Sequence, residues 1–442
     1  MRNILSIDVK SVMYKLQKFW NENKDTIIRY AFLIIVFILG IIIRVNFFPI
    51  SSGDLKNAFI KWYNHIKDNG GFKALSTMIG NYPPMYHYLL WLISLTNLPA
   101  ITAIKFISVI FDFLISIYVM KIVELKEGKN AFYSAIAFAV TFCLPTVIYN
   151  SSFWGQCDSI YTCFFIMFIF YFMKGNDRIA MIMVGFSFAF KLQGVFIFPI
   201  VGILVFLKKI RWRMLLWIPV VYFISIIPET LAGRSFIKLL TFYKTEPGRY
   251  SLLTLGLPNI WFLVGGSGKR TGAAGVYFSM VVILSFMYYY VSNKKMKITK
   301  NTIIGIATLT AFVVPFVLPH MHERYYYFAE IMIVVFGFYY RKTAFLILLS
   351  QWNSMQLYIR YLSGKQAIDG RILALMWIVN AIVIFYVLQK EILNPTDDRE
   401  IMMDYELKTG SNSICGDSIQ KLLRKNNIDD NENKLVNYKN KD

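Results

Sequence analysis

Five short polar clusters interrupt an otherwise apolar chain: Asp54; Tyr82 with Pro83 and Pro84; Trp154, Gly155, Gln156, Cys157 and Asp158; Lys191 with Gln193; and His320, His322, Glu323 and Arg324. These residues suit displacement of phosphate from a sugar carried on a polyprenyl phosphate. Phosphate is a good leaving group, so such a site needs cations rather than a general acid, and one carboxylate suffices to deprotonate an acceptor hydroxyl. Asp54 is the natural base, Lys191 and Arg324 are the phosphate partners, and Gln156, Asp158, Gln193 and His322 are groups for hydroxyls. Hydrolysis of a glycosidic bond would instead call for two carboxylates flanking it.

Each cluster has a plainer reading beside the chemical one. Asp54 is otherwise a solvated loop carboxylate, and Tyr82-Pro83-Pro84 a stiff turn capping a helix, since proline fixes φ and restrains the residue before it. Asp158 is of the type that caps helices, Lys191 could snorkel from a helix end, and His322 and Arg324 could touch headgroups. Asp112 follows Lys105 by two helical turns inside an apolar stretch and reads as a buried structural contact.

The elements that must position these groups are membrane helices. Of 442 residues 56% are hydrophobic and only 17% charged, more apolar surface than one soluble core buries. Stretches such as 27–43 and 276–291 approach the roughly 20 residues that cross a hydrocarbon core of about 30 Å. The fold expected is an all-α polytopic bundle of about twelve spans, starting near residues 28, 101, 131, 158, 179, 194, 212, 273, 301, 324, 343 and 371. Residues 1–27 read as a cytoplasmic segment leading into a retained anchor, 28–390 as the membrane domain, and 391–442, polar and poor in aromatics, as a disordered cytoplasmic tail.

Two decisions set the sidedness. Residues 85–98, between Pro84 and Pro99, are short for a span and suit an interfacial helix. Residues 179–207 carry Lys191, Gln193 and Gly194 near their middle and read as a broken hairpin, because a lysine at mid-bilayer costs roughly 2.5–3.5 kcal/mol. With both choices the basic loops at 121–129, 174–178, 208–213, 294–297 and 341–342 fall on the cytoplasmic side, with both termini. The loops 51–84, 150–158, 229–272 and 319–324 then share the outer face with the interfacial helix at 85–98 and the break at 191–194, so that all five clusters and all four histidines lie on that side.

In this order, Asp54, Asn81-Tyr82-Pro83-Pro84, Trp154-Gly155-Gln156-Cys157-Asp158-Ser159, Lys191-Leu192-Gln193 and His320-Met321-His322-Glu323-Arg324-Tyr325 resemble the GT-C superfamily of multispanning glycosyltransferases. The nearest likeness is to bacterial proteins related to GPI mannosyltransferases and, more distantly, to ALG-type glucosyltransferases. It covers roughly residues 28–390. The resemblance implies an outward-facing pocket beneath the first outer loop, a polyprenyl-phosphate sugar donor and a glycan or protein acceptor. It also implies Asp54 as base, Tyr82, Pro83 and Pro84 shaping the pocket, and Lys191 and Arg324 near the donor phosphate; Trp154, Gln156, Asp158, Gln193, His320, His322 and Glu323 complete the expected substrate-binding set. Glycine precedes the single Asp54, in place of a paired acidic motif, so no metal is assigned and divalent-metal dependence stays open.

A net charge of +21 fits basic cytoplasmic loops better than nucleic acid. Cys143, Cys157, Cys163 and Cys415 show neither metal spacing nor an obvious pairing. Residues 265–270 lack P-loop spacing, His322-Glu323 is followed by no second zinc-protease histidine, and no Asp-x-Asp triplet occurs, which favours a lipid-linked over a nucleotide-linked donor. The rival readings are a lipid-linked glycan flippase, which would need charged residues along a path through the membrane, and a polysaccharide polymerase or ligase, which would share an outer pocket.

Overall fold

The computed structural model describes residues 9–245, 251–266, 268–365, 368–397 and 399–405. Helix α1 (Val9–Phe47) runs unbroken to just before Pro49, about 60 Å at 1.5 Å per residue. It therefore begins well before residue 28, the expected start of the first span. Gly40 lets it approach the next hairpin closely, since a Cβ there would stand 2.5 Å from the Phe142 ring. After a π-helical turn (Leu55–Phe59) come α2 (Ile60–Asp68) and α3 (Pro84–Ser94). Proline at the first turn of α3 forfeits an N–H that would be unbonded in any case. Eleven residues reach only about 16 Å, too short to cross a bilayer.

Helix α4 (Ala100–Glu127) spans about 42 Å and forms the axis on which both ends of the molecule can be placed. Next come α5 (Phe132–Phe142) and α6 (Pro145–Ile148), the latter continuing as a π-helical turn to Trp154, with a 49° bend between the two. Helices α7 (Asp158–Met173) and α8 (Asp177–Phe190) pair closely, and α9 (Phe198–Phe206) follows a break and a 3-10 turn. The remainder comprises α10 (Trp217–Leu231), the short α11 (Phe236–Leu240) and α12 (Ile260–Val264), then α13 (Lys269–Val291), α14 (Lys300–Val317), α15 (Tyr327–Tyr339), α16 (Phe345–Ser363) and α17 (Gly370–Leu393).

The described residues thus form a predominantly helical, membrane-embedded protein. Six helices among the described residues are long and apolar enough to cross a membrane, or seven if the bent α5–α6 pair counts as one span. The twelve expected starts each have a helix near them, but α7, α9 with its preceding turn, and α15 are shorter apolar helices. Burial sorts the helices. Only 11% of the apolar window of α1 and 17% of that of α13 lie inside the protein, leaving apolar faces for lipid, whereas α14 is 83% buried and α15 is buried along its whole length.

The main core gathers α4, α7, α8, α14 and α15; a smaller one around Leu55, Phe59, Tyr63, Tyr86 and Leu90 joins α2 and α3 to the start of α4. His87 of α3 is buried with Nδ1 2.7 Å from Glu229 Oε1, and Arg234 pairs with the other carboxylate oxygen, tying α3 to the end of α10. Two loops also meet in a minimal parallel pairing of β1 (Thr254–Leu255) with β2 (Met321–His322), which the all-α expectation lacked.

Asp112 behaves as the buried contact expected of it. Arg44 Nη2 lies 3.2 Å from its Oδ2, and Ser151 and Tyr327 donate to it at 2.6 and 3.2 Å. Lys105 acts elsewhere. Its Nζ donates to the carbonyls of Phe47, Phe48 and Ile50, closing the end of α1 and holding the segment that leads to Asp54.

The tail departs from expectation at its start. Rather than fraying from residue 391, the chain buries Glu391, Ile401 and Met403, and the Ile401 and Asp404 amides donate to the Ile298 and Gly175 carbonyls. Apolar anchors at 401 and 403, inside a polar composition, account for this. Residues from 406 onward, including Cys415, lie outside the described residues.

Candidate functional site

Asp54 opens the helical segment that follows α1, and two devices hold that segment against residues 149–158. Ser52 Oγ donates to the Trp154 carbonyl at 2.6 Å and accepts from the Leu55 amide at 3.1 Å. Gly155 turns the chain at φ 77°, and a Cβ there would sit 3.0 Å from the Leu55 side chain, so glycine meets both the backbone and the space requirement.

The turn thereby presents two donors to one oxygen of Asp54. Gln156 Nε2 donates to Oδ2 at 2.6 Å and Trp154 Nε1 at 3.1 Å. On the other side Tyr361 of α16 donates its hydroxyl to Oδ1 at 2.8 Å and stacks on the Trp154 ring at 4.2 Å. Arg324 Nη1 lies 3.9 Å from Oδ2, and the Asp54 side chain keeps 35% of its surface exposed. A carboxylate has about four lone-pair positions, so Oδ1, with one donor, retains capacity to accept a proton.

Asp158 is differently placed. It is fully buried at the start of α7 and caps nothing: Lys191 Nζ reaches Oδ1 at 2.5 Å, Asn150 Nδ2 donates to Oδ2 at 3.0 Å, and Arg324 Nε stands 3.3 Å from Oδ2. Lys191 can do this because the chain breaks there into extended backbone, φ −159° and ψ 144°, before the 3-10 turn. Gly194 permits the reversal, since a Cβ would come 2.5 Å from the Phe188 backbone. The break expected in 179–207 therefore exists, and Lys191 points to Asp158 and to the Tyr82 ring 5.3 Å away rather than snorkelling. Burial opposes the Arg324 charge, yet Asp158, Tyr325 and Glu323 outweigh it and hold the guanidinium pKa well above its ordinary value. Burial, with Cys157 and Asp158 adding to it, pushes the Tyr82 phenol up, so this ring acts as a neutral wall.

Two cavities open beside this cluster. The smaller, about 100 Å³, is lined by Tyr82, Pro83, Lys191, Gln193, His322 and Arg324 among others. The larger, about 530 Å³, is bounded by Leu252, Gly256, Phe262, Glu323, Arg360 and Tyr361 among others. Neighbouring residues face different spaces: Arg324 lines the first and Glu323 the second, and Tyr361 ties the second to Asp54.

Pro84 opens α3 and lines neither cavity, and of the other twelve expected site residues the structure brings eleven to the carboxylate cluster or the walls of these cavities; Trp154, Gln156 and Asp158 bind side chains of the site itself. His320 is the exception. At φ 64° it turns its ring Nδ1 to the Leu252 carbonyl at 2.6 Å and its amide to Leu253, so it fastens the 251–255 loop to β2 and lines neither cavity. Among the described residues no three His, Cys, Asp or Glu side chains gather as metal ligands, and Cys143, Cys157 and Cys163 are free thiols. Residues 246–250 of the 229–272 loop, Arg249 among them, lie outside the described residues.

Sequence reasoning missed Asn150, Tyr361 and Arg360. A signal existed in α16, where Gln351, Ser354, Tyr358 and Tyr361 recur at helical spacing within an apolar helix and mark one polar stripe turned inward. Tyr358 continues that stripe, accepting from Asn150 at 3.1 Å.

The opposite end of α4 carries the basic loops. There Arg341 pairs with Glu127 at 2.7 Å, Lys300 donates to the Leu125 carbonyl, and Lys209 pairs with Glu400 at 2.8 Å, roughly 28 Å along α4 from Ser108, whose hydroxyl donates to the Gln156 carbonyl of the candidate site. Compared with family models and with curated proteins, the chain matches none.

Proposed function

We propose that this chain is a membrane glycosyltransferase that moves a sugar from a polyprenyl-phosphate donor to a hydroxyl of a glycan, lipid-linked oligosaccharide or protein. The observation that carries the reading is Asp54, a partly exposed carboxylate held by Trp154, Gln156 and Tyr361, with Arg324 beside it and Lys191 in the adjoining cavity.

In this reading Asp54 takes the proton of the acceptor hydroxyl as its oxygen attacks the anomeric carbon, and the bond to the donor phosphate breaks. Lys191 has N–H donors beyond the one turned to Asp158, and Arg324 has more than its carboxylate neighbours use, so both have capacity for the departing phosphate. Gln193 and His322 bind hydroxyls of the transferred sugar. One displacement by an activated hydroxyl inverts the anomeric centre, whereas retention would need a nucleophilic carboxylate close to the acid/base group.

The same reading puts the site on the outer face of a bacterial plasma membrane, with about twelve membrane segments and both termini in the cytoplasm. Its support is the separation of the basic loops from the Asp54 site by roughly 28 Å of α4, from Ser108 to Glu127.

The test is transfer of radiolabelled sugar from a panel of synthetic polyprenyl-phosphate donors by purified protein in lipid nanodiscs, with synthetic acceptors and membrane-extract acceptors in parallel. Transfer by wild type and its loss in a folded Asp54→Asn variant is the expected result. Lipid-linked glycan movement across liposomes without transfer would replace the reading with a flippase.

A further inference from the structure

Arg324 and Lys191 each pair with a carboxylate, and Arg360 does not. It sits half-buried in the last turns of α16 on the wall of the 530 Å³ cavity, and no carboxylate or hydrogen-bond acceptor of the described residues meets its guanidinium. The carboxylate across the cavity, Glu323, is engaged by Arg324 at 3.3 Å, with His322 3.9 Å from its second oxygen. Its position is crowded from behind: at Gly256, φ 104°, a Cβ would come 3.1 Å from Glu323 Oε2. Among the described residues the cavity therefore has one cation without an anion, facing a volume within the roughly 300–1,000 Å³ usual for small-molecule sites.

The remaining walls give the space a direction. Leu252, Leu255, Phe262 and Leu357 are apolar, and Tyr361, at the edge, donates to Asp54. A molecule that fills the cavity and reaches Tyr361 comes beside the carboxylate oxygen that retains a free lone pair, while its far part meets Arg360. A guanidinium presents a planar pair of donors that matches a carboxylate or phosphate.

We propose that this cavity is the acceptor site and that Arg360 selects an acceptor bearing an anionic group, a sugar carboxylate or a phosphate. This rests on the transferase reading of Asp54. The anionic group docks on Arg360, away from Glu323, and leaves the acceptor's hydroxyl at Asp54.

Direct binding tests it independently of turnover. Purified wild type, Arg360→Gln and Arg360→Lys, each checked for thermal stability, are titrated with a uronate-bearing disaccharide, with its neutral reduced counterpart, with farnesyl pyrophosphate and with phosphatidylglycerol. The expected result is at least about tenfold tighter binding of an anionic probe than of the neutral sugar in wild type, abolished in Arg360→Gln and weakened but not abolished in Arg360→Lys, which keeps the charge and loses the planar pair of donors. Preference for the uronate points to an acidic glycan, and preference for the pyrophosphate to a lipid-linked acceptor. Equal binding of acid and neutral sugars, an unchanged Arg360→Gln, or binding of phosphatidylglycerol as tight as the best probe overturns the proposal. Sugar transfer that persists without Arg360-dependent binding defeats only the acceptor assignment; Arg360-dependent binding without any transfer defeats the transferase reading and leaves an anion site.

Discussion

Two of the aspartate–arginine pairs in the molecule, Asp112 with Arg44 and Asp54 with Arg324, have opposite characters. Asp112 and Arg44 are both fully buried; Ser151 and Tyr327 take up the carboxylate, while the Gly40 and Phe142 carbonyls take up the rest of the guanidinium. Asp54 and Arg324 are looser, at 3.9 Å, with the carboxylate partly open and a cavity on either side. The first pair is complete without a ligand and holds α1 to α4 and to the turn that precedes α7. The second is incomplete, and incompleteness within reach of solvent is what distinguishes a group that can react from one that only braces helices.

The strongest way to sharpen this contrast is to neutralise both aspartates. Asp54→Asn should reduce sugar transfer by about 10²–10⁴-fold, the range for loss of a positioned general base, with the melting temperature unchanged. Asp112→Ala should do the reverse: loss of about 3–5 kcal/mol of stability as Arg44 is left buried without a counter-charge, seen as a markedly lower melting temperature in detergent. A drop in transfer at constant stability for Asp112→Ala would erase the distinction between the two pairs.

Smaller effects probe how Asp54 is held. Tyr361→Phe removes one donor from Oδ1 and keeps the ring on Trp154, so kcat should change by roughly tenfold or less, about the worth of one hydrogen bond. A loss as large as that of Asp54→Asn would mean that Tyr361 itself handles the proton. The smallest effect is expected for His320→Ala. Its ring binds only the Leu252 carbonyl among the described contacts, so loop stability should fall by about 0.5–1.5 kcal/mol, read by limited proteolysis of 251–255, with the affinity for donor unchanged. A raised donor KM would return His320 to the substrate site.

Much of the site was legible because local chemistry and spacing speak through the chain. Lys191, Gln193 and Gly194 in an apolar stretch announced a break, and Pro84 and Pro99 around residues 85–98 announced a short helix, because a membrane penalises a mid-span charge and proline penalises helix continuation. The roles within the clusters were harder to read. Asp158 and Trp154 were expected to bind substrate, yet Asp158 is the anchor of Lys191 and Trp154 a donor to Asp54; Tyr361 did not register, since a tyrosine near a helix end is ordinary in membrane chains.

Apolar content, proline and glycine positions and the distribution of lysine and arginine along the chain determined that this is a helical membrane protein with its polar clusters apart from its basic loops; these are properties of each segment's own transfer energy and backbone freedom. Which carboxylate stays open, which is sealed by a cation, and which arginine is left without a partner among the described residues were decided only by the tertiary structure. Those outcomes depend on distances of about 3–4 Å between side chains some 100 to 300 positions apart, such as Trp154 and Tyr361 on Asp54, and no local pattern encodes such a meeting.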